Sequence, residues 1–130
     1  MKLTVLIIED NEQNRYLTTF LLERHGYQVV SAPDGRTGIE MAQNLTPDLI
    51  LLDIQLPVMD GYDVAGALRG IESLRDTPIV AVTSYAMVGD REKCLAAGCN
   101  GYIEKPINPE TFPTEIGALL KKPSPKQGKP

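Results

Sequence analysis

The chain has 130 residues, 42% of them hydrophobic and 23% charged, with a formal charge of −4. That is the size and make-up of one folded domain, and it excludes a wholly disordered chain. No stretch approaches the ~20 apolar residues that span a bilayer, the opening MKLTVLIIED lacks a signal-peptide cleavage site, and two cysteines make neither a disulfide framework nor a four-ligand zinc site.

The first predicted strand is LTVLII, residues 3–8, and it ends in Glu9 and Asp10. Its apolar residues are continuous, as in a strand covered on both faces. A helix follows over 12–25 with Leu17, Phe20 and Leu21 on one stripe and Gly26 as its stop. His25, the only histidine, reads as a partner for that helix's C-terminal dipole, not as a phosphodonor. The second strand, 27–31, ends blandly in Ser31, Ala32 and Pro33. Asp34 is placed to cap a second helix with Gly38, Ile39 and Ala42 inward and Pro47 beyond its end. The third strand, 48–53, ends in Asp53.

The following segment LPVMDG reads as a loop gripping that strand's end, with Asp60 capping a third helix over 62–71 that Gly66 and Gly70 weaken. The fourth strand, 78–83, runs into Thr83 and Ser84, and a fourth helix over 88–97 stops at Gly98. Cys94 and Cys99 read as small packing residues. The fifth strand, 101–104, leads into Lys105 and Pro106, and Phe112, Ile116, Leu119 and Leu120 mark a fifth helix with Pro113 in its first turn. Residues 1–120 hold nine bases against 17 acids, a balance of −8, which disfavours nucleic acid as the main ligand. The last ten residues, KKPSPKQGKP, hold four lysines and no acid. The expected organisation is one domain over 1–121 and a disordered, solvated basic tail over 122–130.

Five strand–helix repeats imply an α/β fold: a doubly wound parallel sheet with helices on both faces. Such sheets bind ligands beyond the carboxyl ends of their strands, where the strand order reverses. Those ends carry Glu9, Asp10, Asp53, Thr83 and Lys105. Three carboxylates in one crevice stay ionised only beside a cation, and all-oxygen ligands suit a hard one such as Mg²⁺. With Mg²⁺ and Lys105 the formal charge comes to zero, which leaves room for a phosphoryl group. A carboxylate can attack phosphorus to give an acyl phosphate. The blander reading makes Glu9 and Asp10 caps of the first helix, Asp53 an ordinary strand-end acid, Thr83 a strand former and Lys105 a solvated charge.

Four stretches carry a resemblance: VLIIEDNEQNR, PDLILLDIQLPVMDGYDV, TPIVAVTSYAM and GDREKCLAAGCNGYIEKPI. Over about residues 3–121 the chain resembles the receiver domain of two-component response regulators, similar to stand-alone DivK-type receivers and to receivers of hybrid histidine kinases. The resemblance implies a CheY-like, flavodoxin-like sheet of order 2-1-3-4-5 with five helices. It implies that Asp53 is the phosphoacceptor, and that Glu9, Asp10, Asp53 and the Gln55 backbone carbonyl hold Mg²⁺, with Mn²⁺ as a substitute. Thr83 and Lys105 would receive the phosphoryl oxygens, and Tyr102 would turn inward as Thr83 moves. The Lys105–Pro106 peptide bond would be cis. Gln55 and Tyr85, two residues past Asp53 and Thr83, would flank the path of attacking water, with bulky Tyr85 shielding the acyl phosphate.

The implied function is a cytoplasmic phosphorelay switch, not an enzyme beyond its own phosphorylation and slow dephosphorylation. Its partners would be a sensor histidine kinase or histidine phosphotransfer protein and a downstream protein target met through the fourth helix, fifth strand and fifth helix. Nucleic-acid binding and membrane insertion are not expected. Three other readings stay open at this point: a receiver fragment of a hybrid kinase or larger regulator, an aspartyl-phosphate phosphatase, and a phosphate-independent interaction module.

Overall fold

The structure, a computed structural model, describes residues 2–84 and 88–121. The expected basic tail and Tyr85 lie outside the described residues. Five strands, β1 (Thr4–Ile8), β2 (Gln28–Ala32), β3 (Leu49–Asp53), β4 (Ile79–Thr83) and β5 (Gly101–Glu104), form one sheet. All four pairings are parallel and the spatial order is β2-β1-β3-β4-β5. The strands alternate with α1 (Glu12–Arg24), α2 (Gly35–Leu45), α3 (Gly61–Arg69), α4 (Asp90–Ala97) and α5 (Phe112–Lys121). A single 3₁₀ turn, Glu72–Leu74, follows α3, and no sequence pattern announces it.

Two apolar layers enclose the sheet. Val5, Ile7, Leu49, Leu51, Val80 and Val82 point to the side covered by α1 and α5, where Leu22, Phe112 and Ile116 meet them. Leu6, Ile8, Ile50, Leu52, Ile79 and Ala81 point to the side covered by α2, α3 and α4, where Ala42, Val64, Leu68 and Cys94 meet them. Alternate residues of each strand thus serve opposite layers, which is why the runs are apolar without a break. Cys94 and Cys99 are both buried in the second layer as packing residues.

The helix starts follow local chemistry. Asn11, Asp34 and Asp60 each accept a backbone N–H from three residues on, at Asn14, Thr37 and Asp63, satisfying one of the orphan donors of α1, α2 and α3. Pro113 is the second residue of α5, inside its first turn. His25 caps α1, its ring Nδ1 2.9 Å from the Leu21 carbonyl oxygen. The expected stripe of α1 needs correcting. Thr18, Leu21 and Leu22 face the core, whereas Leu17 and Phe20 are each 46% exposed. The register of α1 is set by Leu21 and Leu22 meeting the sheet. Phe20 instead lies under the Arg24 guanidinium, 5.6 Å from its ring centre.

Arg69, unremarked in the sequence, ties the far edge together. It donates to the carbonyls of Gly98 (2.9 Å), Leu74 (2.9 Å) and Arg75 (3.3 Å) and to Asn100 Oδ1. Asn100 Oδ1 also accepts the Ile79 N–H at 2.9 Å, so the ends of α3 and α4 and the starts of β4 and β5 share one polar knot. Gly98 ends α4 at φ +115°, and a Cβ there would stand 2.6 Å from Arg69 Cγ.

Candidate functional site

The sheet register brings the predicted residues to one edge. Ile8 is level with Leu52, so Glu9 follows beside Asp53. Asp53 is level with Val82, one residue before Thr83, and Thr83 pairs with Glu104, one before Lys105. The Lys105 N–H donates to the Thr83 carbonyl at 2.7 Å. The edge lies at the β1/β3 boundary, where the strand order reverses.

Carboxylate oxygens of Glu9, Asp10 and Asp53 lie within 4.8 Å of one another. Glu9 is 6% exposed, Asp53 4% and Thr83 2%, while Asp10 faces solvent. Lys105 Nζ sits 2.8 Å from Glu9 Oε1 and 3.5 Å from Asp53 Oδ2. An all-oxygen donor set, open to water on its Asp10 side, fits a hard divalent cation that keeps part of its hydration shell. Burial pushes the Glu9 carboxyl above its ordinary range; Lys105 pulls it back and the Asp53 charge raises it further. Three carboxylates beside one lysine leave the cluster formally negative.

Glu9 and Asp10 do not cap α1, because Asn11 does. Glu9 Oε2 instead accepts the Asn11 N–H at 3.2 Å. Arg15 Nη1 donates to the Glu9 carbonyl at 2.8 Å and to the Asp10 carbonyl at 3.3 Å, holding the acidic pair at the strand end. The Lys105–Pro106 bond is cis.

The loop after β3 is held just as tightly. The Gln55 N–H donates to Asp53 Oδ1 at 2.9 Å, and the Met59 N–H closes a three-residue turn on Pro57 at 2.7 Å, with Val58 at φ +68°. Gly61 opens α3 against this loop. A Cβ there would stand 2.5 Å from Ile54 Cα and 2.7 Å from the Asp53 carbonyl oxygen. Both are backbone atoms at the end of β3, so the Asp60–Gly61 pair is a cap followed by a close approach.

Tyr102 packs against the α2–α3–α4 layer. Its hydroxyl is buried and has no hydrogen-bond partner among the described residues. Desolvation raises its pKa, and the charges of Asp90 and Glu104 push the same way. The resemblance implies a ring that turns inward on activation; in this structure the residue is partly buried and lines the groove between α4, β5 and α5. Two contacts of the site escape sequence reasoning: the Arg15 clamp, and the reach of the Gln55 side chain, whose residue is expected to act through its backbone carbonyl and to flank the path of attacking water. Neither side chain carries a motif: each acts on a partner that the fold, not the spacing, places beside it.

The response regulator receiver domain family matches residues 5–117. This chain belongs to that family. It is 42% identical over 120 residues to the polar-differentiation response regulator DivK of Brucella ovis, covering 92% of this chain and 98% of that one. Chemotaxis protein CheY4 of Vibrio cholerae superposes with a TM-score of 0.88 at 30% identity, over 92% of this chain and 99% of that one. The receiver domain of a sensor histidine kinase from Pseudomonas aeruginosa PAO1, solved with magnesium in its active-site cleft, superposes at 0.86 with 34% identity, over 94% and 100%. The receiver fold, with sheet order 2-1-3-4-5 and five helices, is thus what this sequence builds. No helix among the described residues is long and apolar enough to cross a membrane.

Proposed function

We propose that this receiver is a cytoplasmic phosphorylation switch that takes a phosphoryl group onto Asp53 from the phosphohistidine of a histidine kinase or phosphotransfer protein. The observation that carries the reading is the gathering of three carboxylates at the sheet edge, two of them, Glu9 and Asp53, bridged by Lys105 Nζ. Glu9, Asp10 and Asp53, with the Gln55 backbone carbonyl, would hold Mg²⁺, or Mn²⁺ in its place. When bound, the cation offsets the charge of the carboxylates and of the incoming phosphoryl oxygens.

The chain's own residues supply the rest. An Asp53 carboxylate oxygen attacks phosphorus, a P–O bond forms, and the N–P bond to the donor imidazole breaks with its electron pair returning to nitrogen. The Gln55 N–H on Oδ1 fixes the carboxylate plane, so that Oδ2 is the oxygen facing the lysine. Positioning of this kind and fixed charges account for most of the catalysis in phosphoryl transfer. Lys105 turns from Asp53 toward a phosphoryl oxygen, and the Thr83 hydroxyl donates to another. The protein is a stoichiometric acceptor and not a turnover enzyme.

The answering face is α4–β5–α5. A groove of about 610 Å³ lies there, with Tyr102 and Glu104 of β5, Glu92 of α4 and Glu115 of α5 along it. Movement of Thr83 reaches this face through Tyr102, two residues before the strand's end, and so changes which downstream protein binds. Incubation with a small-molecule phosphodonor and Mg²⁺ tests the assignment: one phosphoryl per chain is expected, labile to hydroxylamine, and absent from Asp53→Asn. Stoichiometric labelling of Asp53→Asn would defeat it.

A further inference from the structure

The Gln55 side chain links the acceptor strand's loop to the end of β4. Its Oε1 accepts the Ser84 N–H at 3.1 Å, and its Nε2 donates to Thr83 Oγ1. The orientation of the amide follows from its partners. A backbone N–H only donates, so the amide oxygen faces Ser84, which leaves the amide nitrogen facing Thr83. The Thr83 hydroxyl is therefore an acceptor in this bond. Phosphoryl oxygens are acceptors only. Thr83 can serve them only by donating its proton, and any turn of its side chain toward Asp53 strains or breaks the bond from Gln55. Ser84, the next residue, is held by the other end of the same amide.

We propose that the Gln55 carboxamide is a positioning latch that holds Thr83 and Ser84 in the arrangement seen here and opposes their movement toward a group on Asp53. The inference rests on the phosphoacceptor reading of Asp53. Part of the free energy of placing a phosphoryl group there is consumed in releasing the latch. Removing the latch should tighten binding of a phosphoryl mimic by the factor the latch contributes, about two- to tenfold for one or two neutral hydrogen bonds at a partly exposed site.

Beryllofluoride, which mimics the phosphoryl group without hydrolysis, separates this effect from acyl-phosphate lifetime. It would be titrated calorimetrically at saturating Mg²⁺ into the full chain, Gln55→Met, Thr83→Ala and the double variant. Gln55→Met should bind it two- to tenfold more tightly. In the Thr83→Ala background the same change should have a smaller effect, because only the bond to the Ser84 N–H is left to release. In free Gln55→Met, the Ser84 amide resonance should move toward its position in the beryllofluoride-bound wild type. Unchanged or weaker binding to Gln55→Met would overturn the latch, as would equal tightening with and without Thr83. A wild type that failed to bind beryllofluoride at all would defeat the phosphoacceptor reading and the latch with it.

Discussion

Replacing Asp53 with Asn should stabilise the metal-free protein. In the native cluster Asp53 attracts Lys105 at 3.5 Å, worth ~5 kcal/mol at an effective dielectric of about 20. It repels Glu9 within 4.8 Å by ~3.5 kcal/mol on the same scale, and the exposed Asp10 adds a screened repulsion. Attraction and repulsion largely cancel. What remains is the burial of a carboxylate only 4% exposed, an effective penalty of several kcal/mol before its hydrogen bonds are counted. Asn keeps the one backbone bond this structure gives the carboxylate, from Gln55 to Oδ1, and discards the charge.

The expected gain is about 1–3 kcal/mol, or a rise in Tm of roughly 4–12 °C for a domain of this size. Thermal and urea unfolding in a chelator near neutral pH would read it. Millimolar Mg²⁺ should then narrow the difference, because the wild type gains binding free energy that a site short of one carboxylate does not. An Asp53→Asn variant less stable than the wild type without metal would refute this reasoning, since the Lys105 attraction would then outweigh burial and repulsion together.

Gly61→Ala places a methyl against the backbone of Ile54 and the Asp53 carbonyl, so it should cost about 1–3 kcal/mol and slow phosphorylation as Asp53 is pushed aside; urea midpoints and labelling rates check both. Arg69→Met removes four hydrogen-bond donations, among them those to the Gly98 carbonyl and to Asn100 Oδ1, and leaves the Leu74 carbonyl with only the Thr77 N–H. A loss of about 2–4 kcal/mol in urea unfolding is expected, with labelling of Asp53 retained. Burial pushes the Cys99 thiol up to about 12, so a thiol reagent should modify the native protein only as fast as it opens. Because that folded value lies above the ordinary 9.0, the contribution to stability is full below pH 9 and is lost as pH rises toward 12. Cys99→Ala should flatten that alkaline decline by at most about 1.4 kcal/mol per pH unit.

Much of the molecule is legible in its amino acids because local physics and the fold agree. Unbroken apolar runs such as LTVLII and IVAV fit strands covered on both sides, and Asp34 and Asp60 announce helix starts through their own side chains. Residues that end parallel strands share one edge by topology, so the acids, the threonine and the lysine stand out as a group from the sequence alone. The stripe on α1 misleads because Leu17, Phe20 and Leu21 fit helical spacing, yet which of them meets the sheet depends on how the helix is rolled.

What only tertiary structure decided are contacts between side chains far apart in sequence. Lys105 lies nearer Glu9 than Asp53, Arg15 grips the carbonyls of the acidic pair, and the Gln55 amide reaches Thr83 and Ser84. Arg69, which no sequence pattern singles out, becomes the tie between two helices and two strands. Periodicity records which face of an element is apolar, and strand ends record which edge is polar. Neither records which rotamer a long polar side chain adopts or which of several acceptors it reaches, because those choices depend on sub-ångström distances set by the whole packed sheet.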